Sequence, residues 1–60
     1  MPYVTVDLFE GRTVEQKRAA AKAITDAIVV NLNTSAEATH IIFREMKREN
    51  LAHGGKLASD

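Results

Sequence analysis

The chain has no cysteine, no tryptophan, one proline, three glycines and only 5% aromatic residues in a length of 60. Without cysteine there is neither a disulfide nor a thiolate zinc site. The two histidines, His40 and His53, are too few for an all-histidine metal site, so no metal is expected. A bilayer span takes roughly 20 apolar residues, and the longest apolar run here, Ala27 to Val30, falls far short of that. The opening Met1-Pro2-Tyr3 carries no basic segment leading into an apolar one, so no secretory signal is expected and the cytoplasm is the expected location. Neither sign of charge is in excess: eight basic and eight acidic residues cancel, which argues against a nucleic-acid partner. No Pro-, Gly- or Ser-rich linker and no internal repeat interrupts the chain, and residues 1–60 are expected to form a single domain.

A chain of this length buries only about 60% of the surface that its unfolded form exposes. Disulfides, a structural metal or oligomerisation usually make up the difference. With the first two absent, self-association is expected.

Local patterns define three elements and a turn. Tyr3 to Phe9 alternates Val4, Val6 and Leu8 with Tyr3, Thr5 and Asp7, the period of a strand. Thr13-Val14-Glu15-Gln16 fits a capping box opening a helix over Val14–Leu32, with Glu15 at the positive end of its dipole. On the helical wheel Ala20, Ala21, Ile24, Ala27, Ile28 and Leu32 form an apolar arc opposite Glu15, Arg18, Lys22 and Asp26. Ala19, Ala23 and Val30 widen that arc, and Val29 falls among the charged positions. Asn33 suits a left-handed helix end. Thr39–Met46, with Ile41, Ile42 and Phe43, reads as a second, largely buried strand. Ala52–Leu57, centred on Gly54-Gly55, reads as a hairpin with a type I′ turn.

Strand, helix, strand in this order gives a βαβ unit with parallel strands and a right-handed crossover. One helix covers one face of such a sheet and leaves the other face and both edges bare. Pairing of two units into a four-stranded sheet, and assembly of the pairs, answers both problems. The hairpin has no core of its own and is suited to lie against a neighbouring chain.

Three residues stand out for chemistry. Removal of Met1 makes Pro2 a free secondary amine. An α-amino group titrates near 7.7–8.0 when unperturbed, and partial burial or a nearby cation lowers that value. Such an amine suits a general base that moves a proton between carbons. Arg12 follows the Gly11 break and can grip a carboxylate through two parallel hydrogen bonds. His40 opens the second strand, where a histidine is commonly a half-buried polar group. Arg44, Glu45, Lys47, Arg48 and Glu49 form a mixed-sign cluster, read as solvated surface or interchain ion pairs. Gly54-Gly55 is too sparse for a phosphate loop.

Met1-Pro2-Tyr3-Val4-Thr5-Val6, Leu8-Phe9-Glu10-Gly11-Arg12-Thr13 and Glu15-Gln16-Lys17 together resemble the 4-oxalocrotonate tautomerase family. The resemblance continues through Ile41-Ile42, Glu45-Met46 and Gly54-Gly55-Lys56-Leu57-Ala58-Ser59, and so covers essentially the whole chain. It implies an α+β subunit with the tautomerase fold, dimers sharing a four-stranded sheet, and commonly a homohexamer built as a trimer of dimers. It also implies a cofactor-independent isomerase acting on enol or dienol acids, with active sites drawn from neighbouring subunits. By position Pro2 matches the family's catalytic base, and Arg12 its carboxylate-binding arginine. Two positions depart. His40 stands where the best-known member has a second arginine, which exchanges a fixed charge for a weaker, pH-dependent grip. Leu51 stands where an aromatic wall is common; it still excludes water but cannot stack on a dienoate. Substrates such as 2-hydroxymuconate, 2-hydroxy-2,4-pentadienoate and phenylenolpyruvate all remain open. A haloacrylate dehalogenase or hydratase of the same superfamily is the second enzymatic alternative, although no extra carboxylate stands out to activate water. An inactive scaffold subunit and a ribbon-helix-helix DNA-binding dimer are the alternatives from other classes.

Overall fold

The structure is a computed structural model that describes all 60 residues, Met1 to Asp60. Strand β1 (Tyr3–Phe9) leads into helix α1 (Val14–Leu32), which crosses back to strand β2 (His40–Met46). A 3₁₀ turn at Arg48–Asn50 follows, and strands β3 (Ala52–His53) and β4 (Lys56–Leu57) close the chain. β1 and β2 pair in parallel with Tyr3 opposite His40 and Phe9 opposite Met46. β3 and β4 pair antiparallel in a separate hairpin. Its turn places Gly54 at φ 62° and Gly55 at φ 80°, the positive values a type I′ turn demands of both central residues.

The helix starts and stops as its sequence directs. The Gln16 backbone N–H donates to the Thr13 hydroxyl at 3.1 Å, and the Thr13 N–H donates to the Gln16 side-chain oxygen at 2.9 Å, completing the capping box. At the other end Asn33 takes the left-handed conformation at φ 53°. The second strand begins one residue later than the sequence suggests. Thr39 belongs to the preceding turn, its N–H donating to Ala36 O at 3.1 Å and its hydroxyl to Ser35 O at 2.9 Å.

The strand pleat sorts side chains between two faces. Val4, Val6 and Leu8 of β1, with Ile41 and Phe43 of β2, are half-buried on the face that carries α1. Lys17 of the helix pairs with Glu45 of β2 at 3.2 Å and ties the two layers. From the helix, Ala20, Ala21, Ile24, Thr25, Ile28 and Val29 are half-buried. The packed stripe is therefore narrower than the expected arc. Ala27 and Val30 face away, and Leu32, though aligned with the stripe, sits in the last turn and is 60% exposed. Val29, placed among charges on the wheel, packs at the edge.

The opposite face carries no second layer. Tyr3, Thr5, Asp7, His40, Ile42 and Arg44 are all exposed there, with Tyr3 at 56%. No residue of the chain is buried in the strict sense, 0 of 60. The radius of gyration is 14.4 Å, where a compact chain of this length would have about 10 Å. The molecule has the form of an open wedge, 42 × 24 × 13 Å. No helix is long and apolar enough to cross a membrane.

Candidate functional site

Both ends of β1 are fixed to β2 by the backbone. At the head, the His40 N–H donates to Pro2 O at 2.9 Å; at the tail, the Glu10 N–H donates to Met46 O at 3.0 Å. Pro2 and Arg12 are thus held just beyond opposite ends of one rigid element. Seven residues at about 3.3 Å each put those ends roughly 20 Å apart. Within one chain, Pro2 and Arg12 do not meet.

At the head lie Pro2, half-buried, and His40, exposed. The His40 ring stacks on Tyr3 with centroids 4.6 Å apart and planes 13° from parallel. Its Nδ1 lies 3.1 Å from Ala38 O. A carbonyl only accepts, so Nδ1 carries the hydrogen and Nε2 is the nitrogen left free. The Met1 ammonium donates to the same Ala38 carbonyl at 2.7 Å. One backbone oxygen therefore ties the chain terminus to the histidine.

At the tail lies an open cleft of about 280 Å³ lined by Asp7, Leu8, Phe9, Arg12, Met46 and Leu51. Gly11 at φ 127° makes the bend that brings Arg12 here, a conformation hardly open to other residues. Arg12 also borders a second cleft, about 290 Å³, between α1 and the sheet. Arg12 is exposed, and its side chain makes a single long hydrogen bond, 3.4 Å from Nη1 to Phe9 O, and no ion pair. Leu51 is held by the hairpin, its carbonyl accepting from the Ala58 N–H at 2.9 Å, and it remains 42% exposed. Neither cleft includes Pro2 or His40. The four candidate residues fall into two half-sites, Pro2 with His40 and Arg12 with Leu51.

The mixed-sign cluster resolves into specific contacts. Arg44 donates to both Asp7 oxygens, at 2.9 and 3.4 Å, across the strand register. The hydrogen bond and the charge of Asp7 push the Arg44 pKa above its usual value. Arg48 sits with its guanidinium carbon 4.3 Å from the centroid of the Phe9 ring. Sequence reasoning passed over this placement, because only the 3₁₀ turn folds Arg48 back over the strand end. No group of three or more His, Cys, Asp or Glu side chains converges anywhere in the chain.

A parallel βαβ unit with a helix on one face and a C-terminal hairpin is the subunit architecture of the tautomerase fold. The crystal structure of YwhB, described as a homologue of 4-oxalocrotonate tautomerase, superposes with a TM-score of 0.94 at 41% identity, covering 98% of this chain and 97% of that one. A 4-oxalocrotonate tautomerase isozyme of Methylibium petroleiphilum gives 0.92 at 40% identity, covering 97% and 91%. The family model described as "Tautomerase enzyme" matches residues 2–60. A protein of Lactococcus lactis named "Probable tautomerase" is 47% identical over 57 residues, 95% of this chain and 93% of its own length. Another of that name from Streptococcus pneumoniae is 52% identical over 46 residues, 77% of each. The chain belongs to the 4-oxalocrotonate tautomerase family of the tautomerase superfamily.

Proposed function

We propose that the chain is a cofactor-independent tautomerase of enol and dienol acids, with Pro2 as its general base after removal of Met1. The observation that carries this reading is the split site: Pro2 and Arg12 flank opposite ends of β1, whose free edge is unpaired. A second copy pairing antiparallel along that edge brings the head of each β1 to the tail of the other. The half-site of Pro2 and His40 then meets the partner's Arg12 and Leu51, twice over by symmetry. The result is a four-stranded sheet, and closure of such dimers over the bare sheet face yields a hexamer.

The chemistry follows from that arrangement. A guanidinium beside the Pro2 nitrogen disfavours the ammonium form, so the amine is free to take a proton near neutral pH. Arg12 holds the substrate carboxylate through paired hydrogen bonds. Pro2 removes the proton from the 2-hydroxy group or C3 and returns it to another carbon of the conjugated system, so no co-reactant is consumed. The free Nε2 of His40 accepts from the substrate hydroxyl or, when protonated, donates to the oxygen that gathers charge. Leu51 closes one wall against water.

The test combines intact-protein mass with proton exchange at the substrate carbons, followed by NMR. Met1 should be absent, and Pro2→Ala should lose at least about 100-fold in kcat/KM, in the range typical of a lost general base. Retention of Met1 in fully active protein, or full activity of Pro2→Ala, would overturn the assignment.

A further inference from the structure

The chain has four arginines, and their surroundings divide them into two pairs. Arg18 is ion-paired with Glu15, and Arg44 with Asp7. Arg12 and Arg48 have no carboxylate within ion-pair reach. Both of these unpaired cations converge on one residue, Phe9. Arg12 reaches its carbonyl at 3.4 Å, and Arg48 lies over its ring at 4.3 Å. Phe9 is a wall of the Arg12 cleft. Stacking occupies the flat face of a guanidinium but leaves its N–H donors, which radiate in the plane, free for an anion. The one acidic residue lining the cleft, Asp7, is already held by Arg44 through both oxygens. Phe9, one wall of the cleft, therefore carries two positive charges that the protein leaves uncompensated, Arg12 at its carbonyl and Arg48 over its ring.

A single carboxylate would neutralise one of them, and two carboxylates on one molecule would neutralise both. We propose that Arg48 is a specificity-determining residue that takes the second carboxylate of a dicarboxylated dienol while Arg12 takes the first. The inference rests on the function proposed above and narrows its substrate class. The charge that His40 does not supply permanently at the head of β1 is supplied by Arg48 at the tail.

Kinetics with 2-hydroxymuconate (two carboxylates) and 2-hydroxy-2,4-pentadienoate (one) test the proposal. Arg48→Met keeps the apolar stem over Phe9 and removes the charge. It should raise KM for the dicarboxylate about tenfold with little change in kcat, and leave the monocarboxylate within about twofold. Arg48→Lys should recover part of the loss. An equal effect on both substrates, or no effect on either, overturns the role of Arg48 and leaves that of Pro2 standing. If the wild-type protein turns over neither substrate, the tautomerase reading fails, and calorimetric binding of unreactive muconate and sorbate then decides on Arg48 alone. Tighter binding of muconate that disappears in Arg48→Met supports the proposal; equal binding of the two acids overturns it.

Discussion

Arg12 is a long, exposed cation with one weak hydrogen bond and no ion pair, and that freedom is what a ligand-binding group needs. A guanidinium already paired with a carboxylate, as Arg44 is with Asp7, has its charge compensated within the chain. Replacing Arg12 by Gln should raise KM for any carboxylated substrate by at least about tenfold, since charge-assisted pairs are roughly twice as strong as neutral ones. Steady-state kinetics at fixed pH measures this directly, and an unchanged KM would remove Arg12 from the site. Thr13 offers a purely structural contrast. It closes the capping box, so Thr13→Ala should cost about 1 kcal/mol, a fall of about 4–8 °C in the melting temperature of a domain this small. Calorimetry should find that loss with kcat unaltered. Thr13 and Gln16 were legible from their spacing because a capping box is local. Arg48 was not, because its partner Phe9 lies far away in sequence and only the folded chain joins them.

Among the elements, β1 and the C-terminal hairpin do the positioning. The strand and helix boundaries follow from alternation, capping and the Asn33 stop, all of which act within a few residues. The width of the packed helix stripe does not. Leu32 points the right way yet stays exposed, because nothing of this chain lies beneath the last turn. The hairpin holds Leu51 through a single backbone bond and depends on two left-handed glycines. Gly55→Val should strain a turn that needs positive φ and loosen that corner. Faster amide exchange at His53, Lys56 and Ala58, with protection in α1 retained, is the expected outcome. Equal exchange throughout would mean that the hairpin and the βαβ unit unfold as one.

For the whole molecule, the decisive quantity is how little the subunit hides. With none of its 60 residues buried and an uncovered sheet face bearing Tyr3 and Ile42, folding and association are expected to be one process. The melting temperature should rise with protein concentration, and sedimentation should find dimers or hexamers but no folded monomer at micromolar protein. A concentration-independent transition of a monomer would defeat both the shared-site mechanism and the assembly. The expectation of partners comes from length and missing cysteine, and the uncovered sheet face agrees with it. That Pro2 and Arg12 do not meet within one chain follows from the strand read between them, although they stand only ten positions apart.

Since β1 holds Pro2, the proposed base, at one tip and Arg12, the proposed carboxylate anchor, past the other, its seven residues work as a ruler. Lengthening it by one residue would turn every side chain beyond the insertion to the opposite surface and move the anchor about 3.3 Å out of alignment with its mate on the facing copy. Side chains along this rod can be exchanged with modest consequence, whereas its length is bound to the spacing of both proposed sites at once.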